Sequence, residues 1–203
     1  MFTGDFGPDL ARAFPAAPGD LRRLHSQLAA AADTGGILDV AYRTVDTPVG
    51  PLLLAATEIG LVRVAYASEG HDAVLETLAD RISPRILNAP ARLDAPAREL
   101  DEYFAGRRRR FDLPLDWRLS AGFRRAVLSH LPEIGYGHTA SYGAAARLAG
   151  RPKAVRAAAT ACATNPLPVV VPCHRVIYAD GRTGRYRGGP DAKRTLLTLE
   201  AAA

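Results

Sequence analysis

Cysteine is scarce in this chain: Cys162 and Cys173 are the two in 203 residues. Two thiols cannot build a disulfide framework, so the sequence implies a reducing, cytoplasmic setting with at least one thiol free for chemistry. Long apolar runs are missing, and the first residues lack a basic segment followed by a hydrophobic one. Both absences argue against membrane insertion and secretion. Paired metal ligands are missing as well. The cysteines, His174 and the scattered His25, His71, His130 and His138 show none of the usual zinc spacings, and no metal is expected.

What is present is an ordinary globular composition with a basic tilt. The chain is 48% hydrophobic and 23% charged with a net charge of +5, which suits one large domain or two small ones around a real core. The charge is unevenly spread. After Trp117 come eleven arginines, two lysines and four acidic residues, so a polyanionic partner would meet the C-terminal part.

Residues 1–36 read as an extension of unknown role. The Pro/Gly-rich FPAAPGD leads into a short helix, LRRLHSQLAAAAD, with Leu21, Leu24 and Leu28 on one face, and TGG ends it. Residues 37–117 read as an α/β domain. ILDVAYRTV, PLLLAAT and LVRVAYA, separated by DTPVG and EIG, predict a β meander. One helix then carries Val74, Leu75, Leu78 and Ile82 at helical spacing; another starts after Asp94, ends at Gly106 and buries Leu100, Tyr103 and Phe104. The arginine run 107–110 reads as a solvated loop.

Residues 118–203 are helical with short breaks. SAGFRRAVLSHL predicts a helix capped by Ser120. YGAAARLAG and RPKAVRAAATACAT, the latter with Pro152 at its first helical position, predict a helix-turn-helix. An apolar strand at Val169–Val171 then delivers Cys173, and PDAKRTLLTLE closes the chain as a helix.

The second helix of that pair has an unusual surface. Behind Arg156 it runs Ala-Ala-Ala-Thr-Ala-Cys-Ala-Thr, whereas a major-groove recognition helix carries long polar side chains. Small side chains let a backbone approach a narrow surface. The DNA minor groove, roughly 6 Å wide, is such a surface, and arginine is its favoured insert. Packing against a neighbouring helix is the other reading of the same residues.

Cys173 is a candidate nucleophile. A free thiol of pKa about 8.5 is mostly protonated at neutral pH, so attack needs a base within reach and a third group to orient it. His174 is the adjacent candidate. Neighbours in an extended segment point to opposite faces, so the chain must turn at 172–174 for the two to serve one site. A buried structural cysteine beside a surface histidine is the alternative.

PVVVPCHRVI, with NP upstream and GRTGRYRGG downstream, resembles the active-site signature of the O6-alkylguanine-DNA alkyltransferases, also called methylated-DNA–protein-cysteine methyltransferases. GYGHTASYGAAARLAGRPKAVR is similar to that family's helix-turn-helix and DAKRTLLTLE to its closing helix. TPVGPLLLAATEIGLVRV and LDEYFAGRRRRFDLPLDW are similar to its N-terminal domain. The resemblance implies an α/β fold: an N-terminal RNase H-like domain, then a C-terminal helical domain with a winged-helix-like helix-turn-helix. It implies repair by direct reversal, in which one molecule acts once, with no cofactor. The implied partner is double-stranded alkylated DNA, met by a monomer and away from membranes. Adduct size, O4-alkylthymine activity and cooperative binding are left open.

By this resemblance Cys173 takes the alkyl group from guanine O6 as a permanent thioether, His174 draws off the thiol proton through a water, and Glu200 orients His174. Tyr142 meets guanine N3. Asn165 ties the helix-turn-helix to the active-site strand. Arg156 fills the gap left by the flipped base, with Ala157, Thr160 and Ala161 of the same helix against the groove. Tyr186 and Arg187 line the base pocket, the Cys173 and Val176 carbonyls accept from the exocyclic amine, and Val155 and Lys193 border the pocket.

The chain also departs from the pattern. His138 stands where a charged residue is common, Val155 is bulkier than the usual alanine, and Arg187 is long where small residues are frequent. Cys162 reads as a filler and not as a second acceptor. The presence of Cys173 argues against a non-enzymatic sensor of alkylated DNA. A cysteine hydrolase would leave Arg156 and the small-residue helix without a purpose.

Overall fold

In the computed structural model, which describes residues 18–201, the apolar segments after Asp39 pair into one sheet. Its strands are β1 (Val40–Val45), β2 (Leu52–Ala56), β3 (Leu61–Tyr66) and β4 (Ile86–Asn88), in the order β3-β2-β1-β4. The first three form the expected antiparallel meander. β4 lies parallel to β1; three half-buried residues carry too little pattern to be seen in sequence. Every residue of β2 and β3 is buried, which explains why these strands show no alternation.

Helix α2 (His71–Arg81) lays Val74 and Leu78 on a core that contains Val40, Leu53, Ala55, Val62 and Leu119. Helix α3 (Asp94–Phe104) buries Leu100 and Tyr103, with Phe104 half-buried. The outer edge of β3 does not stay open, as a bare edge invites pairing with other chains. Leu61 N–H donates to the Pro114 carbonyl (2.9 Å), Asp116 N–H to the Leu61 carbonyl (2.9 Å) and Val64 N–H to the Pro166 carbonyl (2.9 Å).

Gly60, just before β3, holds φ at +150°, and a Cβ there would overlap the carbonyl of Pro114. Gly60→Ala is expected to destabilise the fold by about 2–3 kcal/mol. A lowered urea midpoint at unchanged m value would show it.

The C-terminal part is helical: α4 (Gly122–His130), α5 (Tyr142–Leu148), α6 (Val155–Ala163) and α7 (Gly189–Ala201), with short parallel strands β5 (Ala140–Ser141) and β6 (Val176–Ile177). Helices α4, α5 and α6 pack on one another. Ser141 caps α5, its hydroxyl accepting from Ala144 N–H at 3.1 Å.

Two helix starts differ from expectation. Ser120 does not cap α4: Ala121 is the capping residue, and the Ser120 hydroxyl is buried without a hydrogen-bond partner among the described residues. Helix α6 begins at Val155 and not at Pro152. A proline disfavours helical geometry in the residue before it, and residues 151–153 close a turn in which Ala154 N–H donates to the Arg151 carbonyl (2.9 Å).

The chain divides into two compact units, the first ending at Leu38. That first unit holds α1 (Pro18–Thr34), whose end is closed by Gly35 N–H on the Ala31 carbonyl (2.9 Å). The leucine face expected there is the exposed one: Leu21, Leu24 and Leu28 are 64%, 54% and 55% exposed, while Ala29 and Ala32 are buried. Most of FPAAPGD lies outside the described residues. No helix among the described residues is long and apolar enough to cross a membrane.

Candidate functional site

Pro166, Pro168 and Pro172 deprive segment 165–173 of ladder donors. The segment folds as turns, and the strand expected at Val169–Val171 does not form. Buried Asn165, just past the end of α6, organises it. Its amide N–H groups donate to the Val171 carbonyl (2.9 Å) and to Cys173 Sγ (3.1 Å), and its oxygen accepts from Leu167 N–H (3.0 Å). Val169 is held at φ +70°, a conformation that costs on the order of 1–3 kcal/mol and that the surrounding turn must enforce. Pro172 then leads into a 3-10 turn, Cys173–Arg175. This is the bend that the Cys-His pair requires.

Cys173 is 2% exposed. Burial pushes its thiol up to about 11, against the Asn165 hydrogen bond and the positive charge of Lys193. At neutral pH it is therefore a thiol that needs a base. Burial lowers the pKa of His174, against the pull of Glu200, so the ring is neutral. Burial alone would raise Glu200, but hydrogen bonds from His174 and Arg175 hold it at about 2.

His174 Nε2 and Glu200 Oε1 are 2.8 Å apart. An ionised carboxylate can only accept, so the ring proton sits on Nε2 and Nδ1 is left as a bare acceptor. That Nδ1 is buried with no hydrogen-bond partner among the described residues. A neutral imidazole oriented by a carboxylate, with one nitrogen free, is equipped to act as a general base.

The Glu200 carboxylate has further partners that sequence reasoning missed. Arg175 grips it through Nε (2.9 Å) and Nη2 (2.9 Å), and the Tyr103 hydroxyl donates to it at 2.7 Å. Arg175 also donates through Nη1 to the Ile134 carbonyl (2.6 Å). The one available signal was an arginine directly after the Cys-His pair.

Tyr142 is buried, edge-to-face with Tyr178 at 5.2 Å between centroids. Burial raises its hydroxyl to about 12. Gly184 packs so closely that a Cβ would strike the Tyr142 hydroxyl. Tyr186 stands edge-on to His174 at 6.3 Å, its hydroxyl 2.9 Å from that of Tyr66. The ring of Tyr66 also fills the space beside Gly188, where any side chain would overlap it. The Arg187 guanidinium donates to Glu69 Oε2 at 2.6 Å, and Arg63 shares the same oxygen. Tyr66 and Glu69 thus pin the 186–188 loop, a role no local motif announces. Buried Lys193 donates to the Val176 carbonyl (2.7 Å) and to that of Thr183. The Val176 carbonyl, expected to receive the guanine amine, already has a partner and keeps one lone pair for another.

On α6, Arg156, Ala157 and Thr160 are exposed, as is Val155 at its start. Ala161 is not, at 2% exposed. Five residues on from Arg156 it is turned about 140° around the helix, onto the buried face with Ala158 and Cys162. The small residues are therefore divided between two faces, one packed in the interior and one open to solvent. His138 is exposed, its Nδ1 3.0 Å from the Tyr136 carbonyl.

Two family models match the chain. One, described as the 6-O-methylguanine DNA methyltransferase ribonuclease-like domain, covers residues 40–117; the other, described as the DNA binding domain of the same proteins, covers 122–202. The methylated-DNA–protein-cysteine methyltransferase of Mycolicibacterium paratuberculosis is 39% identical over 161 residues, 79% of this chain and 92% of that protein. The bifunctional transcriptional activator/DNA repair enzyme Ada of Escherichia coli is 38% identical over 82% of this chain and 47% of its own length. Among solved structures, the Mycobacterium tuberculosis O6-methylguanine methyltransferase superposes with a TM-score of 0.71 at 37% identity, covering 80% of this chain and 93% of that one. A structure of that organism's OGT in complex with DNA gives 0.70 at the same identity and coverage. With a sheet part followed by a helical part, and relatives of this likeness along most of its length, the chain belongs to the 6-O-methylguanine DNA methyltransferase family.

Proposed function

We propose that this protein repairs DNA by direct reversal, taking the alkyl group from O6-alkylguanine in double-stranded DNA onto Cys173, once per molecule. The observation that supports the reading is the buried His174–Glu200 pair, which leaves His174 Nδ1 without a partner among the described residues, directly after the buried, protonated thiol of Cys173 in the chain.

A base inside the stack is out of reach, and flipping it costs a few kcal/mol. Arg156, at the leading end of the exposed face of α6, fills the space it leaves, and Ala157 and Thr160 lie against the minor groove. Because Cys173 is buried, the segment 178–188, which packs on Tyr142, His174 and Lys193, shifts to admit the base. His174 Nδ1 takes the thiol proton through a bridging water. The sulfur attacks the alkyl carbon in line, the S–C bond forming as the C–O6 bond breaks, and the electron pair leaves on guanine.

That anion is a poor leaving group, so the Tyr142 hydroxyl donates to ring N3. The proton held by His174 restores the balance. The products are guanine and a thioether that nothing in the site can cleave. No metal or organic cofactor takes part. The protein acts as a monomer, and two free thiols suit the reducing cytoplasm.

The test is mass spectrometry after incubation with duplex DNA carrying O6-methylguanine. One methyl group per molecule is expected, on the peptide that contains Cys173. Labelling of Cys162 instead, or turnover beyond one equivalent, would overturn the reading.

A further inference from the structure

On the opposite side of β3 from its sheet partner, a cleft of about 400 Å3 opens among α2, α4 and the end of α6. Arg63, Arg81, Arg124 and Arg187 line it against one carboxylate, Glu69, so four positive charges face one negative. Val74, Leu78 and Leu119 form apolar walls, and walls of that kind focus the field of the charges between them.

The pairing within the cleft leaves donors over. Glu69 engages Arg63 and Arg187, yet Arg187 Nε is buried with no hydrogen-bond partner among the described residues. A buried donor left unpaired costs about 1–3 kcal/mol. Arg124 spends one N–H on the Leu119 carbonyl and keeps the others. Arg81 is exposed and forms no ion pair among the described residues. A tetrahedral oxyanion, with several acceptor oxygens, is the ligand that satisfies such a set.

Thr164 also lines the cleft. It follows Arg156 and Thr160 at four-residue steps on one face of the helix, about 12 Å from Arg156 along the axis. From Val155 to Thr164 that helix carries a single cation, Arg156, whereas DNA affinity comes mainly from phosphate contacts. The charge that α6 lacks lies beyond its far end.

We propose that this cleft is a phosphate site that holds the backbone of the DNA strand lying along α6. The inference rests on the reading of α6 as the DNA-contacting helix, and it adds an anchor outside the helix-turn-helix.

Binding of unmodified duplex DNA, measured across a range of KCl concentrations, tests it. Each phosphate contact removed lowers the slope of log affinity against log salt by about 1. Arg81→Glu is expected to make the slope about 1 shallower and to weaken low-salt binding by about tenfold, and the Arg81→Ala/Arg124→Ala pair by up to about 2 in slope. Transfer from free O6-benzylguanine should not change. Arg124 also braces Leu119, so Arg81→Glu, at an exposed position with an unchanged melting temperature, carries the test by itself.

An unaltered slope and affinity in Arg81→Glu overturns the proposal. So does a second outcome: inorganic phosphate, at matched ionic strength, raises the melting temperature of the parent protein while the DNA slope ignores both variants. The cleft would then take free phosphate and not a strand. A parent protein that fails to accept methyl groups defeats the repair reading alone, because the slope is measured on undamaged DNA.

Discussion

Glu200→Gln is expected to slow alkyl transfer by about 10²–10⁴-fold, the range of a lost general base, and to destabilise the fold by about 3–5 kcal/mol, the penalty for stranding a buried charge. The carboxylate accepts from the His174 ring, from two nitrogens of Arg175 and from the Tyr103 hydroxyl. An amide of the same shape has one accepting oxygen and an NH2 that must face one of these donors. If the NH2 faces His174, Nε2 becomes the acceptor and the ring proton moves to Nδ1, the nitrogen the thiol needs. If it faces Arg175, a buried guanidinium loses half its partner. One orientation damages the chemistry and the other the fold.

The acid limb of stability should change with it. Glu200 is held at about 2 against an ordinary 4.5, so it stabilises the fold above the unfolded value and loses that contribution as pH falls from there through the folded one. His174 has a lowered pKa, so the unfolded chain gains a proton first and stability declines as pH drops below about 6.5. Both act in the same direction. The parent protein should weaken in two stages on acidification, and Glu200→Gln should lack the second. Urea titrations at several pH values and a single-turnover rate check both parts. Equal midpoints and equal rates at neutral pH would remove the carboxylate from the relay.

Much of this site was readable where its chemistry is local. The Cys-His pair, the proline before it and the glycine and proline between α5 and α6 are neighbours in the chain, and each carries a conformational meaning of its own. The apolar run at Val169–Val171 was not resolved that way. A hydrophobic triplet fits a strand or a buried turn equally well, and the amide of Asn165, reaching across to Val171 and Cys173, decides between them. Ala161, which the resemblance sets against the groove, lies on the buried face instead, because the helical repeat divides a run of small residues between two faces. Tyr103 and Glu69 escaped for another reason. They act on Glu200 and Arg187 from 97 and 118 residues away, and no periodicity or spacing records a contact that only folding creates. The chemistry follows the chain; its supports do not.

Arg156→Ala is expected to slow transfer from O6-methylguanine in duplex DNA by about 30–150-fold, which corresponds to losing about 2–3 kcal/mol of the flipping energy. Transfer from free O6-benzylguanine should stay within about twofold, because no base has to leave a stack. Arg156 is exposed and has no ion pair among the described residues, so its removal should change stability by no more than about 0.5 kcal/mol. The loss is then a property of the reaction and not of the fold. Arg156→Lys separates the two things the side chain supplies. Lysine keeps the charge but not the planar guanidinium that stacks against bases, so a gap-filling role predicts little recovery, while a purely electrostatic role predicts almost full recovery and a restored salt dependence. Equal losses on duplex and free substrate would mean that Arg156 acts at the pocket itself. In that case the helix that carries it approaches the groove without opening it.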